Sequence, residues 1–178
     1  MSVKERIEPL FTAEQIHIRI GELAAQINAD YAGKDILLLG TLKGAYIFLA
    51  DLSRKITQTT EIDFLKVSSY GDSTSPLSQV KFDQSPSLSL TGKHVLLVED
   101  IIDTGHTLAF LREYIKSQNP ASLRVCALLD KPERREAELP PCEYLGFSIP
   151  DKFVVGFGLD YAQRYRNLPY VGVLHFEN

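Results

Sequence analysis

Hydrophobic positions along the chain follow two periodicities. Ile16, Ile20, Leu23, Ala24 and Ile27 recur at helical spacing, and Thr12-Ala13-Glu14-Gln15 just ahead of them fits a capping box. A helix covering a sheet is the expected product. The unbroken apolar runs 36–39, 95–98 and 125–129 are each ended by glycine or polar residues, which predicts strands buried on both faces. Residues 62–69 and 170–174 predict two further strands, and 45–56 and the trio Leu108, Leu111, Ile115 predict two further helices. Strands alternating with helices imply an α/β fold: a mostly parallel central sheet flanked by helices and joined by right-handed crossovers.

Three stretches break the pattern. Residues 133–141 are charged, end in prolines and lack periodicity, so they read as a surface connection. Asp72-Ser73-Thr74-Ser75-Pro76 has little to bury and reads either as a mobile lid or as a hairpin tip. The segment 149–161 has an apolar middle able to form a strand. Its Phe153 reads as core by default, while its aromatic and acidic members together could line a pocket.

Length and charge narrow the class. At 178 residues the chain suits one domain (1–178), and a net charge of −4 gives no electrostatic footprint for nucleic acid. Two cysteines, Cys126 and Cys142, lack metal-ligand spacing and form no disulfide framework, so a reducing cytoplasm is the expected compartment. Neither an apolar signal core nor a stretch long enough to span a bilayer is present, so no membrane partner is expected.

The chemistry concentrates in VLLVEDIIDTGHTL, residues 95–108. Glu99 and Asp100 follow the apolar run, and Asp103-Thr104-Gly105-His106-Thr107 supplies a glycine-containing turn into a helix. Open α/β sheets bind ligands beyond the carboxyl edge of their strands, and free amides at a helix N-terminus cradle phosphate. The carboxylates fit this picture if they hold a divalent cation or sugar hydroxyls while the loop holds the phosphate. Gly40-Thr41-Leu42-Lys43-Gly44 repeats the logic after another apolar run, although an ordinary tight turn with a solvated lysine explains it equally well.

Acidic-acidic-apolar-apolar-Asp-Thr-Gly-x-Thr after an apolar strand resembles the phosphoribosyl-pyrophosphate (PRPP) signature of the type I phosphoribosyltransferases. The order from Leu42-Lys43-Gly44 through Ser69-Tyr70 to Lys131 and IPDKFVVGFGLDY resembles the hypoxanthine-guanine branch over nearly the whole chain. The resemblance implies a small hood made by the chain-terminal segments, Mg²⁺ as cofactor, PRPP with hypoxanthine or guanine as substrates, and pyrophosphate with IMP or GMP as products. It also implies a homo-oligomer, dimer or tetramer.

Carried onto matching positions, the resemblance gives Glu99 and Asp100 to the ribose hydroxyls, directly or through Mg²⁺, and Asp160 to a second Mg²⁺. Asp103 becomes the proton-handling carboxylate beside the purine, and Thr104, Gly105, His106 and Thr107 cradle the sugar phosphate. His106 stands where the family often has lysine. Leu42, Lys43, Gly44 and Arg166 surround pyrophosphate, with a Leu42–Lys43 peptide that is commonly cis. Lys131 donates to the purine oxo group, Phe153 stacks on the ring, the Val154 backbone meets the base edge, and Ser69-Tyr70 belong to a closing loop. A regulatory protein that senses a nucleotide or PRPP on the same fold is the main alternative. A phospho-receiver would carry its acidic pair near the first strand, and a P-loop nucleotidase would need glycine and Ser/Thr spacing absent around Gly33-Lys34 and Gly92-Lys93.

Overall fold

The computed structural model describes residues 4–69 and 80–177. Its elements run β1 (Lys4–Phe11), α1 (Ala13–Asp30), β2 (Ile36–Leu42), α2 (Tyr46–Ser53), β3 (Thr60–Ser69), β4 (Val80–Gln84), β5 (His94–Ile102), α3 (His106–Ser117), β6 (Ser122–Asp130), β7 (Tyr144–Ser148), β8 (Val154–Val155) and β9 (Val171–Glu177). A single 3₁₀ turn, Pro132–Arg134, follows β6.

The central sheet has six strands in the order β4-β3-β2-β5-β6-β7, parallel throughout except for the β3/β4 pair. Consecutive side chains of a strand point to opposite faces, and the buried runs obey this. Leu38, Leu96, Val98 and Leu128 pack with α1 and α2 on one face, while Leu37, Leu39, Val95, Leu97 and Ala127 pack with α3 on the other. The expected first helix begins as anticipated: the Thr12 hydroxyl accepts from Gln15 N and the Gln15 side chain accepts from Thr12 N.

The chain ends meet in a second, three-stranded sheet, β1-β9-β8, in which β9 pairs antiparallel with both neighbours. Two of the strands that complete the fold carry no clean apolar period. β1 opens with three charged residues, Lys4-Glu5-Arg6, and is nowhere fully buried, and β7 contains Gly146, where an added Cβ would lie 2.3 Å from the Leu128 carbonyl oxygen. Arg19 of α1 covers the β7 backbone, donating to the carbonyls of Leu145 and Gly146 at 2.7 and 2.9 Å. Such cover keeps a sheet edge from pairing with another chain. The segment 149–161 yields only the two-residue β8, because Gly156, Phe157 and Gly158 turn to positive φ immediately after it.

Candidate active site

Strand order determines where the crevice lies. From β2 the chain crosses to β3 on one side, and from β5 it crosses to β6 on the other, so the loops leaving these adjacent strands diverge. A ligand crevice forms at such a switch point. The β2/β5 ladder ends at Gly40 opposite Val98, while β5 continues beside β6 as far as Ile102. Glu99 and Asp100 therefore lie within the last turns of the strand ladder, where β5 has lost its neighbour on one side, rather than in a turn after it.

The crevice there is about 550 Å³, and its lining includes Thr41, Glu99, Asp100, Asp103, Thr104, Gly105 and Thr107. Gly105 is the residue ahead of α3, with φ 93, and an added Cβ would sit 2.8 Å from Leu139 Cδ1. Glycine is favoured there for both reasons. The first amides of α3 have no partner within the helix, and its first turn holds no acidic residue to compete with an anion.

Residues 131–137 brace the loop from behind. Lys131 N donates to Ile102 O at 2.9 Å, Arg135 Nη1 to Asp103 O at 2.9 Å, and the amides of Glu136 and Ala137 to Thr104 O at 2.9 and 3.1 Å. Three successive carbonyls that would repel phosphate are thereby engaged. The charged stretch expected to be a mere surface connection is a structural brace, and its role was hidden because backbone pairing of this kind needs no periodic side chains. His106 belongs to the same brace: its Nε2 lies 2.9 Å from Glu136 Oε2, and its side chain does not line the crevice.

A smaller depression of about 170 Å³ adjoins the first and shares Asp100 and Asp103 with it; Lys131, Phe153, Val154 and Asp160 also line it. Lys131 is 7% exposed, and its Nζ stands 3.6 Å from Asp151 Oδ1. Phe153 is 51% exposed, with Tyr161 edge-on at 5.9 Å, so the default reading of it as core does not hold. Val154 is buried and pairs with Val173 of β9. A third hollow is lined by Leu42, Lys43, Tyr46, Gln163 and Arg166, and the Leu42–Lys43 peptide is cis. Gln163 Oε1 accepts from both Lys43 Nζ (3.1 Å) and Arg166 Nη2 (3.2 Å), while Arg166 also pairs with Asp160 at 2.8 Å.

This arrangement has close counterparts. The phosphoribosyl transferase domain model matches residues 7–162, and the chain is 48% identical over 172 residues, 96% of each sequence, to a hypoxanthine phosphoribosyltransferase of Escherichia coli K12. The chain belongs to the hypoxanthine-guanine phosphoribosyltransferase family. A hypoxanthine-guanine phosphoribosyltransferase of Streptococcus agalactiae is 46% identical over 94% of this chain and 93% of its own. The crystal structure of one from Bacillus anthracis superposes with a TM-score of 0.89 at 42% identity, covering 97% of this chain and all of that one.

Within this phosphoribosyltransferase most of the site residues inferred from the motifs line one of the three hollows; among the described residues His106, Ser69 and Gly44 do not. His106 faces the brace, and Ser69 contributes the last backbone residue of β3, paired with Val80. Tyr70 and the stretch 72–76 lie outside the described residues. Gly44 is locked between two partners: its own Cβ, if present, would lie 1.6 Å from Asp100 Oδ2, and a Cβ on Gly158 would lie 2.0 Å from Gly44 O. Thr41, part of the Gly40–Gly44 turn, also reaches the site, as do Arg134, Arg135 and Gln163, which nothing in their local sequence announced.

Burial dominates the electrostatics. Glu99 is 4% exposed, and burial, reinforced by the charge of Asp100, raises its carboxyl pKa to about 8. The Thr41 hydroxyl opposes this shift, yet neither its Oγ1 nor Glu99 Oε1 has a hydrogen-bond partner. Asp100 is raised to about 6, chiefly by burial; the Ile101 amide and the Arg166 charge oppose the shift and Asp160 adds to it. Two adjacent buried carboxyls, one of them with an unpartnered oxygen at Glu99 Oε1, favour a bound cation or hydroxyl donors.

Proposed function

We propose that this chain transfers the 5-phosphoribosyl group from PRPP to hypoxanthine or guanine, releasing pyrophosphate and forming IMP or GMP. The observation that carries this reading is the junction of two hollows at Asp103. One side offers a helix N-terminus suited to the sugar phosphate, and the other offers a buried lysine and an exposed aromatic ring suited to an oxopurine. Residues 1–178 act in this reading as one catalytic domain, with the β1-β9-β8 sheet as its hood. The purely regulatory alternative has no observation in its favour, because Asp103, Lys131 and Asp160 line one and the same depression.

Breaking the bond between the anomeric carbon and pyrophosphate leaves positive charge on the sugar and negative charge on the departing group. Lys43 and Arg166 stabilise the latter, and the amides of Thr104 to Thr107 hold the 5-phosphate so that the sugar stays oriented. As N9 of the base bonds to the anomeric carbon, Asp103 accepts the proton from the imidazole edge. Lys131 donates to the oxo group, Phe153 covers the ring, and Val154 meets the base edge through its backbone. Water would capture the cationic sugar, so the reaction requires its exclusion from the site.

Mg²⁺ fits the donor set. Such a cation is typically held by one or two carboxylates, with substrate oxygens completing its shell. Glu99 and Asp100 supply one such pair and Asp160 another anchor; when bound, Mg²⁺ neutralises charge on the diphosphate. Both cysteines are free, in keeping with a reducing cytoplasm, and no helix among the described residues is long and apolar enough to cross a membrane. Self-association as a dimer or tetramer belongs to the same reading and is counted by light scattering.

The test is turnover by purified protein with PRPP, hypoxanthine and Mg²⁺, repeated after exhaustive chelation. Formation of IMP and pyrophosphate that stops on chelation and returns with Mg²⁺ is expected. Full activity without a divalent cation contradicts the assigned carboxylates.

A further inference from the structure

Resting on the reading above, Asp103 and Lys131 meet neighbouring atoms on one edge of the purine, the imidazole nitrogen and the 6-oxo group. They come from different elements: Asp103 follows β5 and Lys131 follows β6. Both contacts form together only if the spacing between the two side chains is held closely, since misplacement of about 1 Å can cost a hundredfold in rate.

An alternating series of charges spans the gap. Lys131 Nζ lies 3.6 Å from Asp151 Oδ1, Asp151 Oδ2 lies 3.9 Å from Arg134 Nη1, and Arg134 Nε donates to Asp103 Oδ1 at 3.0 Å. Arg134 stands on the 3₁₀ turn that begins directly after Lys131, with Pro132 restricting the backbone between them. Its guanidinium is planar and permanently charged, so the groups contacting Nε and Nη1 are oriented relative to one another. One oxygen of Asp103 is thus occupied, and the other remains for the base.

Stability does not explain this series. Arg134, Asp103 and Asp151 are 45%, 43% and 49% exposed, and ion pairs exposed to that degree contribute little to folding. Nor does Arg134 join the brace of the phosphate loop, which uses Arg135 and the amides of Glu136 and Ala137. We propose that Arg134 is a positioning residue for base capture, acting through Asp103 and, across Asp151, on Lys131.

A double-mutant cycle on the full chain distinguishes this role from a general structural one. Arg134→Ala should lower kcat/KM for hypoxanthine roughly tenfold, while KM for PRPP and the thermal midpoint stay close to wild type. In an Asp103→Asn background the same substitution should cost less than about twofold, because the group it positions has already lost its function. Arg134→Lys, which keeps a cation but not the planar fork, should recover part of the loss. Equal losses in the two backgrounds, or no loss in the wild-type background, overturn the proposal. If the wild type fails to use hypoxanthine, or Asp103→Asn is fully active, the assignment of the base site itself falls and takes this inference with it.

Discussion

The floor and the rim of the crevice are built in different ways. The floor, Glu99 to Thr107, is the end of a buried strand and the start of a helix, with the Ile102 and Thr104 carbonyls tied down by backbone amides and that of Asp103 by Arg135. The rim, 157–166, departs from regular structure: Phe157, Ala162, Gln163 and Tyr165 all have positive φ without being glycine. That conformation is uncommon for residues with a Cβ and persists where surrounding contacts over-determine it. Side chains add to the backbone bonds of the segment, such as Gly158 N to Arg166 O and Arg164 N to Tyr161 O: Asp160 accepts from Gln163 N at 2.8 Å, Arg166 donates to Gly158 O at 2.7 Å, and Gln163 joins Lys43 to Arg166. The floor is held by the sheet, whereas the rim adds to its backbone bonds side-chain contacts that a charged ligand can compete for.

The contrast is broken most severely at the point where floor and rim touch. Gly44→Ala would force a methyl group to within 1.6 Å of the present position of Asp100 Oδ2. Asp100 must then move, and kcat/KM for PRPP should fall by roughly a hundredfold, the scale associated with ångström-sized misplacement. An unchanged value would show that the floor tolerates displacement.

Glu99 tests the floor through pH. Its pKa stands at about 8 in the folded chain against an ordinary 4.5, so the folded state holds this proton more tightly than the unfolded one. The associated stability is complete below about pH 4.5 and is lost as pH rises toward 8. Glu99→Gln, which cannot ionise, should melt with the wild type at pH 4.5 and higher than it at pH 8.5 when no ligand is added. For a chain of this size each kcal/mol is about 2–4 °C. A constant gap across that range contradicts the buried, protonated carboxyl.

The smallest effect is expected on the rim. Gln163→Ala removes the acceptor shared by Lys43 and Arg166 in an exposed setting, so KM for PRPP should rise about two- to fivefold with kcat nearly unchanged. A loss as large as that of Gly44→Ala would erase the distinction between floor and rim.

The same contrast explains what could be read from the sequence. β2, β5, β6 and α1 were legible because burial on a sheet face imposes periodicity, and Gly105 because a turn into a helix called for it. β1 was not, since Lys4–Phe11 buries no residue completely and finds its partner β9 at the far end of the chain. Phe153 looked like core because it sits in an apolar run, yet it opens to the crevice through the geometry of the hood. Arg134 and Gln163 act at long range in sequence, 31 residues from Asp103 and 120 from Lys43 respectively, so no local pattern marks them.

The base pocket carries the central claim. In this reading hypoxanthine and guanine present an oxygen to the buried Lys131, whereas adenine presents an amino donor, leaving two donors opposed. A buried donor without an acceptor costs about 1–3 kcal/mol and more when charged, and sites built on such a bond discriminate by about four to five orders of magnitude. The measurement is kcat/KM for hypoxanthine, guanine and adenine in the wild type and in Lys131→Ala. The account predicts negligible use of adenine by the wild type and a narrowed gap in the variant, through loss on the oxopurines. Efficient use of adenine by the wild type, or a gap that the substitution leaves intact, would contradict it.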